Sequence, residues 1–156
     1  MVSCKPLMRE LLHLEKLMKT WMLLVLFGLS CSAMAENPPL DCQNAMSTLE
    51  MNRCASMALD SAEAELARYL AASLAHNADD LELVNAINAA QTDWQTYRLS
   101  HCNSVYMQWR DGSIRGVMAF SCKTQLTKQR SHDIWKNFLS YMDGTPAILP
   151  EPDTSL

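Results

Sequence analysis

Valine, isoleucine and threonine are too sparse in this 156-residue chain, and alternate too rarely with polar residues, to supply the strands of a sheet. No apolar run reaches the roughly 20 residues that a membrane-spanning helix needs. Basic residues are short as well. Of 13 Lys/Arg and 17 Asp/Glu, four and two lie before residue 36, leaving nine against 15 and a net charge of −6 over the remainder. A nucleic-acid backbone demands the opposite balance, so nucleic acid is not an expected partner. The balance is compatible with a cationic protein. There is no G-x-S-x-G elbow, no H-E-x-x-H pair and no Gly-rich phosphate loop. No catalytic residue is therefore expected, and the chain does not read as an enzyme. It has no closely spaced C-x-x-C pair of the kind that structural zinc sites use. His76, His101 and His132 stand apart without ligand spacing. Met46, Met51 and Met57 suit a helix start and a core face better than a copper site. No metal or cofactor is expected, and no internal repeat stands out.

What is present begins with an export signal. Lys16 and Lys19 supply a basic region, residues 21–29 are apolar apart from Gly28, and Ala33-Met34-Ala35 offers a small-x-small cleavage site before Glu36. This is the tripartite grammar of a secretory signal peptide over residues 1–35. The grammar restarts cleanly at Met18, so residues 1–17 read as a mis-extended start. Gly28 takes the position where a lipobox prefers Leu, which argues against lipidation at Cys31. The chain is expected in the periplasm or outside the cell, with no stable membrane span after cleavage. Residues 36–143 form one expected domain. Residues 144–156, with Pro146, Pro150 and Pro152 and few large apolar groups, read as a disordered Pro-rich tail.

Within the domain three segments carry helical periodicity. Ala55, Leu59, Ala62, Leu66 and Tyr69 recur at steps of four and three, the pattern of one buried stripe. Ser47 followed by Glu50 signals a capping box at its start, with Met46 and Met51 at staple positions. Leu83, Ile87, Ala90, Trp94 and Tyr97 repeat the spacing behind a start box of Asp79 and Glu82, where carboxylates also favour the helix dipole. Val117, Phe120, Thr124, Thr127, Ile134 and Phe138 continue it after Ser113 as a cap. The expected fold class is all-α, with three main helices in a small bundle.

Cys42, Cys54, Cys102 and Cys122 remain after the signal, and an even count in an exported chain reads as a disulfide framework. Four cysteines permit three pairings, and geometry favours one of them. Cys102 and Cys122 lie ten residues either side of Gly112 in the turn Asp111-Gly112-Ser113, so an antiparallel hairpin sets them at one height. Cys42 and Cys54 are twelve residues apart, about 18 Å on a straight helix, and can meet only if the chain breaks before Ser47 and folds back. Cys42–Cys54 with Cys102–Cys122 is the expected pairing.

Around these positions lies a recognisable pattern. Asp41-Cys42, then Glu50-Met51-Asn52-Arg53-Cys54, resembles the opening of the LprI-type lysozyme inhibitor domain. So do Gln91-x-x-Trp94-x-x-Tyr97-Arg98-x-x-x-Cys102, Gly112-Ser113, Cys122, Leu126-Thr127 and Arg130. The resemblance spans residues 41–139 and implies a small, exported, helical, non-enzymatic protein that inhibits a lysozyme. An envelope accessory module without that activity is the other reading. Of the motif residues, Glu50, Asn52, Trp94, Tyr97, Arg98, Thr127 and Arg130 are expected to be mostly architectural. Trp94 and Tyr97 fall on the apolar stripe, and Arg98 can pair with a carboxylate such as Glu65. Tyr106, Trp109, Arg110 and Asp111 are different: aromatics and an Arg on a short bridged turn are the ingredients of an interface hot spot. A cationic lysozyme, or another cationic envelope or host protein, is the expected partner.

Overall fold

The computed structural model describes residues 40–155, which lie within one compact unit. The signal-peptide expectations fall outside the described residues. Three α-helices follow in order: α1, Thr48–His76; α2, Leu81–Gln108; and α3, Arg115–Phe138. No strand occurs among the described residues, and the fold is all-α. None of the described helices is long and apolar enough to cross a membrane.

α1 starts where the sequence places it. The Glu50 amide donates to Ser47 Oγ at 3.2 Å, and the Ser47 amide donates back to Glu50 Oε2 at 2.9 Å, closing the capping box. The Met46 amide also donates to Glu50 Oε2, at 3.1 Å, so one carboxylate satisfies two backbone donors. Met46 is 85% exposed, however, and no staple forms with Met51. α2 is capped one residue later than expected: Asp80, not Asp79, accepts from the Leu83 amide at 3.0 Å. At α3 the N-cap is Ile114 rather than Ser113, with no side-chain cap bond. There the tight turn takes up the first helical amide, Arg115 N donating to Gly112 O, while Gly112 N donates to Trp109 O within the turn.

α3 is the central element, packed against α1 on one side and α2 on the other. Its inward face carries Thr124, Thr127 and Ser131 beside Ile134, all buried. Each of the three hydroxyls donates to the carbonyl four residues back, at 2.7–3.2 Å. Small hydroxylated residues thus let neighbouring helices approach without leaving a buried donor unpaired. The main apolar cluster joins Leu66 and Tyr69 of α1 to Ile134 and Leu139, with Trp94, Trp135, Phe138 and Leu149 packed around it.

Both disulfides are formed, Cys42–Cys54 with Cα atoms 5.6 Å apart and Cys102–Cys122 with Cα atoms 5.7 Å apart. The first depends on a turn before Ser47. Asp41 accepts there from the Gln43 amide at 3.0 Å and from Asn44 Nδ2 at 2.7 Å, which folds the chain back toward α1.

The segment from Gly144 corrects the expectation of disorder. Residues 145–155 form an irregular strap lying on α1 and α3. Ile148 N donates to Leu139 O at 2.8 Å, Trp135 Nε1 to Leu149 O at 2.9 Å, and Tyr69 Oη to Pro150 O at 2.7 Å. Its apolar content is low, as composition indicated; it is held by the packing of Leu149 and Pro152 together with backbone carbonyls that accept from the buried Tyr69 and the partly buried Trp135. Pro152 is buried, and Gly144 at φ 83° makes the bend that returns the chain.

Candidate functional site

The candidate residues divide into two groups, the motif residues of the bundle and the partner-binding candidates of the α2–α3 turn. Inside, the inward stripe of α2 is Ile87, Gln91, Trp94, Arg98 and Cys102, not the all-apolar series expected. Tyr97 is 53% exposed and stacks on His101 with ring centroids 5.5 Å apart, so its assignment to the core is corrected. Ala90 is likewise exposed.

Arg98 takes the inward place instead. Its Nη1 donates to Thr127 Oγ1 at 2.7 Å and pairs with Glu63 Oε1 at 2.8 Å, while its guanidinium lies 5.0 Å from the Trp94 ring centroid. The carboxylate it meets is Glu63; Glu65, the expected partner, sits 3.6 Å from Arg68. Arg130 mirrors this from the opposite helix, with Nε donating to Gln91 Oε1 at 3.1 Å. Burial lowers the Arg130 pKa from its ordinary value, while Asp133 acts to raise it. The two guanidinium groups cross in opposite directions between α2 and α3 and form a short polar ladder.

Two further motif positions also serve the architecture. Glu50 is the capping carboxylate; the Ser47 backbone donor, then the Ser47 hydroxyl and the Met46 amide, hold its pKa below the ordinary value. Asn52 Nδ2 donates to Thr48 O at 2.7 Å. A Cβ on Gly116 would meet Asn52 Oδ1 at 2.1 Å, so Gly116 is the residue that lets α3 close on α1 there.

The turn has another character. Trp109 is 40% exposed and Tyr106 37%, while Arg110 and Asp111 face solvent. Arg115 lies 5.1 Å from the Tyr106 ring centroid and donates from Nη1 to Arg110 O at 3.2 Å, fixing the turn from the start of α3. Arg110 and Asp111 approach only to 3.9 Å, an exposed contact of little energetic weight. The Cys102–Cys122 bridge clamps the two helices just below. Buried cysteine, short turn and the guanidinium over Tyr106 fix the turn backbone and that ring, which lowers the ordering cost of contacting a partner.

Sequence reasoning overlooked how uncharged the outside of α2 is. Between Leu83 and Gln108 the only Asp, Glu, Lys or Arg residues are Asp93 and Arg98, and Arg98 points inward. Leu99 and Met107 are each 55% exposed. Tyr97 and Tyr106, nine residues apart, fall about 180° apart around the helix, so exposed aromatics flank the α2–α3 seam on both sides. Counting charges along the segment would have revealed this. His76, His101 and His132 are separated, and no group of metal-ligating side chains occurs among the described residues.

The frame thus consists of two bridges, a capped first helix and the Trp94–Arg98–Thr127 contact. It coincides with a known sequence pattern: the family model described as lysozyme inhibitor LprI matches residues 41–134. The chain belongs to the LprI family. The match opens at Asp41, beside the first bridge, and ends on Ile134 in the core, leaving the strap outside it. An uncharacterized protein of Rhizobium meliloti (strain 1021) is 30% identical over 113 residues, 65% of this chain and 81% of that protein. No solved structure matches the chain. Apart from the exposed Tyr97, the LprI motif residues lie in contacts within the frame, and the turn lies exposed beside it.

Proposed function

We propose that this LprI-family chain is an exported, non-enzymatic protein that inhibits a cationic lysozyme by occluding its substrate cleft. Family membership supports the inhibitory activity. The observation that carries the choice of surface is Trp109, held 40% exposed on a turn clamped by Cys102–Cys122. In this reading Trp109 and Tyr106 enter the cleft, and Arg110 and Asp111 supply the polar rim. The net charge of −6 beyond residue 35 steers a basic enzyme toward the complex, so binding weakens with salt. Signal cleavage before Glu36 and periplasmic or extracellular delivery belong to the same proposal; two disulfides suit an oxidising compartment.

The test is clearing of a cell-wall suspension by several lysozymes, with and without the purified domain. Trp109→Ala should weaken inhibition by about 2 kcal/mol, roughly 30-fold, with helical content unchanged. Trp94→Ala, beneath Arg98, should instead lower the melting temperature. Undiminished inhibition by a folded Trp109→Ala protein would move the site off this turn. The second reading is an envelope interaction module, favoured by the sparsely charged outer face of α2. Absence of binding to every lysozyme at micromolar concentration would select it.

A further inference from the structure

The strap over residues 145–155 is bound largely through its backbone. Its consecutive carbonyls at Leu149 and Pro150 accept from the Trp135 indole at 2.9 Å and from the Tyr69 hydroxyl at 2.7 Å. Tyr69 is itself 1% exposed, so its hydroxyl is a fixed donor rather than a mobile surface group. Pro152 is buried two residues on, and Glu151 between the prolines reaches His132 Nε2 at 3.0 Å. Lys128 Nζ meets the Ser155 carbonyl at the far end.

Successive strap contacts therefore fall on Leu139, Trp135, His132 and Lys128, about one helical turn apart along α3. A groove that reads a non-helical chain in this way uses aromatic N–H and O–H donors against carbonyls, and a covered site for one proline, here Pro152. Those are the terms by which proline-rich peptides are recognised: they are stiff, lose little entropy on binding and keep their carbonyls free to accept.

Two further observations bear on exchange. Much of the strap faces solvent: Pro150, Glu151 and Asp153 are exposed, and Ile148 is 40% exposed. The bend that delivers it, residues 141–144, is wholly exposed, with Gly144 at φ 83° and Met142 at 107% relative exposure. Leu149 and Pro152 are its covered residues and the remainder is solvated, so the strap is the segment expected to open locally ahead of the helical core. Above it the groove continues, with about 510 Å³ of open volume between α1 and α3 lined by Ala58, Ala62, Glu65, Thr124, Lys128 and the strap's own Asp153. The strap occupies one end of a longer cleft and lies beyond the family match, which ends at residue 134.

We propose that the α1–α3 groove is a recognition site for extended, proline-containing segments of another protein, and that the strap is its resident intramolecular competitor. Trp135 and Tyr69 supply the donors, and the site of Pro152 takes a proline ring. The site is independent of the α2–α3 turn: Trp135 lies 20 residues along α3 from Arg115, about 30 Å.

The experiment uses the full chain and a fluorescent peptide with the sequence of residues 145–155. The intact protein should bind it weakly, because the tethered strap competes at high effective concentration. Full-length Pro150→Ala/Pro152→Ala, with its own strap weakened, should bind the peptide at least tenfold more tightly. Adding Trp135→Phe should remove that gain. A peptide with both prolines replaced by Ala should bind at least tenfold more weakly than the original. Equal binding of the two peptides, or no gain in the strap variant, would overturn the proposal. Should the strap variant lose helical content, a chain with the native strap, cut after folding at a protease site inserted between Asp143 and Gly144, gives the second reading. Saturable uptake of labelled peptide supports exchange, and its absence overturns it.

Discussion

Toward α1, the third helix closes on Leu59, Ala62, Leu66 and Tyr69, a continuous buried series, and shares the Leu66–Tyr69–Ile134–Leu139 cluster with it. Toward α2, the buried residues are only Ile87, Gln91 and Cys102, supplemented by Arg98 on Thr127 and Arg130 on Gln91. The first interface is held by apolar burial, which is non-directional and strong per unit area. The second is held by oriented polar pairs and one covalent bridge, which contribute less but define register. Because α2 is tied by its inward seam alone, its sparsely charged outer face is left free of structural duty, and the exposed aromatics flank the seam. The half that presents the candidate binding surface is the half with the thinner core.

The comparison is broken most directly in the α1–α3 core. Leu66→Ala should cost about 2–5 kcal/mol, the range for deleting a buried leucine and leaving a cavity, and should lower the cooperative melting transition as a whole. Urea unfolding measures it. A loss below about 1 kcal/mol would mean that the α1 interface is not the apolar anchor assigned to it.

The bridges sharpen the contrast. Cys102→Ala/Cys122→Ala should cost about 2–4 kcal/mol, and amide exchange should accelerate first in the second half of α2 while α1 stays protected. Cys42→Ala/Cys54→Ala should fall at the lower end of that range, because the bridge ties an exposed turn to α1 instead of joining two helices. The two closed loops, separated by 12 and 20 residues, differ too little in length to reverse this order. Uniform acceleration throughout the chain would show that α2 has no separate weakness.

Arg98→Met comes next. It keeps much of the packing stem but removes the bonds to Thr127 and Glu63, at an expected cost of about 1.5–3 kcal/mol for hydrogen bonds to a charged donor. Glu63, half-exposed, is rehydrated rather than stranded, which favours the lower end. A double-mutant cycle with Thr127→Val would isolate the pair; a coupling near zero would demote the ladder to packing alone.

Arg98 also marks where sequence reading succeeded and where it stopped. α1 was legible because its two signals agree: Ser47 and Glu50 form the box, and the stripe Leu59, Ala62, Leu66, Tyr69 is apolar throughout. The bridges were legible because ten residues either side of Gly112, and a break before Ser47, are geometric constraints that pairing must meet. α2 was misphased because its inward stripe includes Gln91 and Arg98, whose partners lie on other helices. An apolar-only reading rotates the helix toward Ala90 and Tyr97. The strap was missed for a related reason. Its polar anchors are backbone carbonyls at Leu149 and Pro150, and composition does not reveal which carbonyls meet a tyrosine hydroxyl or an indole N–H of another element. Polar complementarity across elements is a property of the fold, whereas apolar periodicity belongs to each helix alone.

The smallest expected effect concerns the start of α1, and its sign follows from the Glu50 carboxylate. Backbone and side-chain donors from Ser47, then the Met46 amide, hold its folded pKa below the ordinary value of 4.5. A group whose pKa is depressed on folding adds stability that is complete above its unfolded value and is lost as pH falls through the folded one. The capping contribution is therefore constant at neutral pH and fades only in acid, below 4.5. The Ser47 and Met46 amide resonances, whose protons point at Oε2, should titrate together with a midpoint under that value. In Glu50→Gln, which keeps an acceptor but no charge, that shared titration should vanish, and acid should no longer fray the first turn. A midpoint at or above 4.5 in the native chain would mean that the carboxylate is not held by those donors. The start of α1 would then rest on the Ser47 hydroxyl and the Cys42–Cys54 bridge, and the contrast between its apolar interface and the polar seam of α2 would be sharper still.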